Sequence, residues 1–115
     1  MNHSELPTQS HRITYLSADI NYTFIHFTDA PSKLHCRSIA YCLNSLPGFV
    51  RIHKSSVVNP AFVSQVRGPK TEKMEVLVGK EWLPVSRRRK MDVIQQLQTF
   101  HQPHLLPGLT AARNF

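Results

Sequence analysis

Residues 13–27 read Ile13-Thr14-Tyr15-Leu16-Ser17-Ala18-Asp19-Ile20-Asn21-Tyr22-Thr23-Phe24-Ile25-His26-Phe27. β-Branched and aromatic side chains crowd both flanks, which favours extended backbone, and Asp19-Ile20-Asn21 reads as a turn between them. Ile13 to Leu16 and Tyr22 to Phe27 are therefore predicted to be the two strands of a hairpin. A second turn at Asp29-Ala30-Pro31-Ser32 leads to a predicted third strand over Lys33 to Arg37.

Further along, one short helix interrupts the strand pattern. Ser38 is placed to cap it, Ile39, Cys42, Leu43 and Leu46 recur at helical spacing, and Pro47-Gly48 ends it. Phe49 to Asn59 mixes apolar and polar residues without helical period and reads as short extended pieces joined by a turn at Lys54-Ser55. Asn59 is expected to cap the turn into Pro60, and Ala61 to Arg67 continues to a loop at Gly68-Pro69. Met74 to Val78 and Glu81 to Val85 flank Gly79-Lys80, where a glycine in the first central position suits a type II′ hairpin. Pro84 cannot donate to a ladder, so that strand is expected at a sheet edge. Ser86 then precedes a predicted helix from Arg87 to about Phe100, with Met91, Ile94 and Leu97 on one face.

The domain is expected over residues 12–98. Residues 1–11, polar and carrying Pro7, read as a flexible leader, and residues 99–115, with Pro103, Pro107 and Gly108, as an extended or disordered tail. A chain of 115 residues has room for one ordinary core, and its 41% hydrophobic content argues against disorder throughout. The longest wholly apolar run, Ile39 to Leu43, is far short of the ~20 residues a membrane helix needs, so no membrane partner is expected. Cys36 and Cys42 make no disulfide framework and read as thiols in a reducing compartment. Met1 to Glu5 carries no basic and apolar signal, and the expected location is the cytoplasm.

Lys and Arg total 14 against 7 Asp and Glu, a net charge of +7 that calls for an anionic partner. Four of these cations are consecutive, Arg87-Arg88-Arg89-Lys90, at the start of the last predicted helix. Backbone amides there already carry partial positive charge, so each cation costs a few tenths to about 1 kcal/mol. Stability alone would select acids at those positions, whereas a phosphate would be held by amides and arginines together. His53, Lys54, Ser55 and Ser56 form a second polar group on a turn, with donors for phosphates or base edges.

Catalytic patterns are not found. The seven histidines show neither an HExxH motif nor Cys/His zinc spacing, and the acidic residues form no evident pair. The four glycines form no phosphate loop, and neither cysteine is locally marked as an activated nucleophile. No enzyme activity, cofactor or metal is expected.

Three stretches occur in order: Tyr15 to Thr23, Phe49 to Asn59, and Leu83-Pro84-Val85-Ser86-Arg87-Arg88-Arg89. Together they closely resemble the LytTR family, the DNA-binding output domain of many bacterial response regulators, over about Arg12 to Leu97. The resemblance implies packed antiparallel sheets in an elongated β fold with a short middle helix and a C-terminal helix. It implies loops that enter successive major grooves of double-stranded DNA, usually at paired direct repeats in promoters, so that a second copy sits on the same DNA. Carried over by motif, the DNA-binding residues are Asn21, Tyr22 and Thr23, then His53, Lys54 and Ser55, then Arg87 with Arg88, Arg89 and Lys90 beside it. Family members often carry glycine where Ile20 stands.

The expected function is sequence-specific DNA binding in bacterial transcription regulation. Arg87 is expected to read guanine and the other cations to hold phosphates. The alternative is a protein-interaction or antagonist module that holds a partner regulator and binds DNA poorly by itself. A third reading, nonspecific single-strand or RNA binding, requires exposed stacking aromatics, whereas the aromatics here sit mainly in strand patterns. The 115 residues contain no receiver domain, so either a stand-alone regulator or an excised domain is expected, with its signalling partner unidentified.

Overall fold

The computed structural model describes residues 6–35 and 37–100. It contains eight strands in two antiparallel sheets with short helices, and its extents of 41 × 26 × 23 Å make it elongated. Strands β1 (Ile13–Asp19), β2 (Tyr22–Phe27), β3 (Lys33–His35), β4 (Val50–His53) and β5 (Ser56–Val58) form the larger sheet in the order β3-β2-β1-β5-β4. Strands β6 (Val63–Arg67), β7 (Glu75–Val78) and β8 (Glu81–Pro84) form the smaller one in sequence order. Helix α1 (Leu6–Gln9) precedes the sheets, α2 (Ile39–Leu43) interrupts them, and α3 (Lys90–Phe100) comes last.

The large sheet is buried on both faces, and β5 shows why. Side chains alternate across a strand, so Val57 and Val58, both fully buried, serve opposite cores. Val58 joins Val50 and Ile52 against Val76 and Val78 of the small sheet and Val93 and Leu97 of α3. Val57 joins Leu16 and Ile25 against Ile39, Cys42 and Leu46 on the α2 side. Ser38 caps α2 as its sequence suggests, its hydroxyl accepting a hydrogen bond from the Tyr41 amide at 3.1 Å. Asn59 locks the 3-10 turn Pro60–Phe62: its side-chain oxygen accepts from the Ala61 amide, while its Nδ2 donates to the Ile13 carbonyl at 2.9 Å. Pro84 ends an edge strand, and Gly79 takes φ +61° at the β7–β8 tip.

Three expectations are corrected, and the segment before Gly68 gains an assignment. Residues 6–12 are not a loose leader: α1 and a 3-10 turn run directly into β1, and Leu6 is fully buried in the second core. Val63–Arg67 is a strand, paired to β7 through a bulge that breaks the alternation by which its sequence would have shown it. The last helix begins at Lys90, after a 3-10 turn over Arg87–Arg89, and extends through Phe100, so residues 99 and 100 belong to it and not to a tail. Its buried side chains are Val93, Ile94 and Leu97, whereas Met91 is 70% exposed. The expectations for residues 1–5 and 101–115 and for Cys36 lie outside the described residues.

Candidate nucleic-acid interface

The β1–β2 hairpin closes with Asp19 paired to Tyr22, which leaves Ile20-Asn21 as a two-residue turn. Ile20 takes φ +55°. For a β-branched residue this left-handed conformation costs about 1–2 kcal/mol. Packing offsets none of it, because Ile20 is 90% exposed. Asn21 is exposed beside it, and Tyr22 is half exposed. Thr23, grouped with them on sequence, faces the other way. It is fully buried and its hydroxyl donates to the Arg37 carbonyl at 2.8 Å, fastening the end of β2 to the approach of α2. Thr23 is thus removed from the DNA-contacting set by burial.

The β4–β5 turn is held by side chains. The Ser55 amide donates to His53 Nδ1 at 3.2 Å, and the Ser55 hydroxyl lies 2.9 Å from the same nitrogen. An amide can only donate, so in the neutral ring Nδ1 is the acceptor and the proton sits on Nε2. Arg51, two residues before His53 on the same strand face, donates from Nε to the His53 carbonyl at 3.3 Å and from Nη2 to the Lys54 carbonyl at 2.6 Å. Burial, and then the neighbouring Arg89, push the Arg51 guanidinium below its ordinary pKa. Lys54 itself is exposed.

The basic run comes directly after β8. Ser86 has extended, cap-like backbone angles, but its hydroxyl makes no cap bond to the turn. The cations instead meet the β6–β7 loop. Arg87 pairs with Glu72, both well exposed, and Lys90 Nζ donates to the Thr71 carbonyl at 3.0 Å. That loop turns tightly at Gly68 (φ +67°), where a Cβ would lie 2.7 Å from the Lys73 carbonyl oxygen. The Thr71 hydroxyl and amide both donate to the Gly68 carbonyl, at 2.9 and 3.0 Å. Arg88 is exposed, and Arg89 is half-buried towards Arg51.

Backbone hydrogen bonds join these segments at one end of the large sheet. The Ala18 amide donates to the Ser55 carbonyl at 2.8 Å, tying the first hairpin to the β4–β5 turn. The Ser86 amide donates to the Ile52 carbonyl at 2.8 Å, setting the basic run alongside the end of β4. Since the sheet order is β3-β2-β1-β5-β4, the row runs from Asn21 and Tyr22 through His53, Lys54 and Ser55 to Arg87–Lys90. Arg37, whose guanidinium lies 4.8 Å from the Tyr41 ring centroid, stands at the β3 side of the row. Arg51 and the Thr71–Glu72 counterpart were missed on sequence. The period-2 pairing of Arg51 with His53 is the signal that could have found the first. Nothing local marks the second. Among the described residues no cluster of His, Cys, Asp or Glu could hold a metal ion, and no helix is long and apolar enough to cross a membrane.

Three comparisons with known proteins bear on this arrangement. No curated protein matches the chain. A LytTr DNA-binding domain from Bacillus cereus is similar in fold, with a TM-score of 0.67 at 23% identity over 76% of this chain and 82% of that one. The family model of the LytTr DNA-binding domain matches residues 6–98, so its match starts at the buried Leu6 and ends within α3. The chain belongs to the LytTr DNA-binding domain family, a family of DNA-binding domains and not of enzymes.

Proposed function

We propose that this chain is a sequence-specific double-stranded DNA-binding protein that regulates bacterial transcription from the cytoplasm. One observation carries the reading: two backbone hydrogen bonds gather three separate loops, one of them with four consecutive cations, into a single row. β2 and β4 are three strand spacings apart, about 14 Å, and the basic run lies beyond β4. A major groove is about 12 Å wide, so the row is longer than one groove is wide and spans beyond a single groove's edges to the flanking phosphates. Arg87 reads guanine through its forked donors, exchanging Glu72 for the base edge on binding. Arg88, Arg89, Lys90 and Lys54 hold phosphates, and His53 and Ser55 keep the middle turn in shape at the DNA surface. Two copies occupy promoter direct repeats about one helical turn apart.

Fluorescence anisotropy against duplexes over a range of salt tests this reading. Log affinity is expected to fall linearly with log salt, and one sequence is expected to bind tighter than the rest. Arg87→Ala should relax preference at one base pair by about 1–3 kcal/mol, while Lys90→Ala should weaken all duplexes alike and reduce the salt slope by about 1. Affinity independent of salt, or equal for every sequence, would remove the proposal. Identical behaviour of the two variants would remove the division of labour.

A further inference from the structure

The tip of the β1–β2 hairpin differs in charge from the rest of the row. Asp19, Ile20, Asn21 and Tyr22 include no cation and one carboxylate, whereas the other two loops bring Lys54 and the run Arg87–Lys90. A carboxylate beside phosphates is repelled, so a tip of this composition seated on DNA belongs over base edges and not on the backbone. Its most protruding side chain is aliphatic: Ile20 is 90% exposed at φ +55°. Glycine or asparagine would relieve that conformation, and a polar residue would suit the exposure. Neither folding nor solubility accounts for isoleucine there. In the major groove the thymine 5-methyl group is the apolar feature that an aliphatic side chain can bury. The neighbouring Asn21 carries the amide that pairs with the N6 and N7 edge of adenine.

We infer that the β1–β2 tip reads A·T pairs in the major groove, with Ile20 packed on a thymine methyl and Asn21 facing an adenine. The inference rests on the DNA-binding reading above and adds to it a base preference set by a residue outside the cationic loops. It makes Ile20 a specificity determinant through burial of a methyl group, with no contribution to the salt-dependent part of affinity.

Deoxyuridine, which is thymine without its methyl, isolates the effect. Duplexes are first enriched on the wild-type chain from a random duplex pool, and each thymine of the enriched site is then replaced singly by deoxyuridine. At one or two positions the replacement should weaken wild-type binding by about fourfold, the factor a buried methyl-sized group is worth. In Ile20→Gly and Ile20→Asn, both of which tolerate the turn geometry, that penalty should vanish while the salt slope stays unchanged. An enriched site with no deoxyuridine-sensitive position, or the same penalty in both variants, would overturn the inference and leave specific binding intact. A pool that yields no enriched sequence would remove the specific-binding reading itself, and this inference with it.

Discussion

The β1–β2 and β7–β8 hairpins each carry an ion pair and a cation over an aromatic ring, and they differ at their tips. Arg12 pairs with Asp29 at 3.0 Å and lies 5.1 Å from the Phe27 ring centroid on the returning strand. Arg67, on the neighbouring strand β6, pairs with Glu75 of β7 at 2.8 Å and lies 3.9 Å from the ring centroid of Trp82 on β8, one pair from the tip. In the first hairpin both contacts close the open end, and in the second they tie the hairpin to the neighbouring strand β6. Both tips are two-residue turns whose first residue has positive φ, +55° at Ile20 and +61° at Gly79. The fold uses glycine for this geometry in one hairpin and a β-branched residue in the other. The strained tip is the one that lies in the row of candidate DNA-contacting loops. Backbone strain concentrated at a site that folding does not require is the pattern expected of a binding residue.

Exchanging the tip residues tests that contrast, beginning with the larger effect. Gly79→Ile should destabilise the chain by about 1–2 kcal/mol, since a Cβ at Gly79 meets nothing within 4 Å and backbone strain is the whole cost. A thermal or urea melt reads it, and duplex binding should be unchanged. Ile20→Gly should stabilise by about 0.5 kcal/mol, because relief of strain is partly cancelled by the ~1 kcal/mol of extra chain entropy that glycine loses on folding. A melt in which Ile20→Gly is clearly less stable than wild type would show that Ile20 serves the fold, and the contrast between the tips would collapse.

The legible parts of the fold are those whose signal is local. The first hairpin, α2 and the β7–β8 hairpin were readable because nearby residues specify them: alternating β-branched side chains, Ser38 as a cap, Gly79 at a turn. Helix α1 was not, because Leu6 is a lone apolar residue whose burial depends on the core it joins, which includes Ile25, Ile39, Cys42 and Val57 from far along the chain. Strand β6 was hidden by its bulge. The face of α3 was misjudged because the expected stripe left out Val93: Val93 and Leu97, four residues apart, set the buried stripe together with Ile94, and Met91 falls outside it. The three loops of the row were found by motif, yet their assembly depends on the Ala18–Ser55 and Ser86–Ile52 hydrogen bonds, which no sequence pattern announces. Thr23 was misplaced although its sequence position carried the answer. Strand alternation puts it on the same face as the buried Ile25, which separates it from Tyr22.

The smallest expected effect tests the shared part of the comparison, the ion pair beside each hairpin. Asp29 is exposed, and its carboxyl is held below the ordinary range chiefly by the hydrogen bond from Arg12, with attraction to Arg12 and His11 adding to it. A carboxyl whose folded pKa lies below its unfolded value contributes stability that is present above the unfolded pKa, near 3.9, and is lost as pH falls through the folded one. Urea midpoints measured from neutral pH downwards should therefore show an increment in the wild type that fades below about pH 4 and is missing in Asp29→Asn. Because the pair is at the surface, added salt should shrink that increment as well. Loss of the same increment near neutral pH would assign it to a histidine. An acid dependence unchanged in Asp29→Asn would show that the first hairpin is held at its open end by the stacking of Arg12 on Phe27 and not by its ion pair.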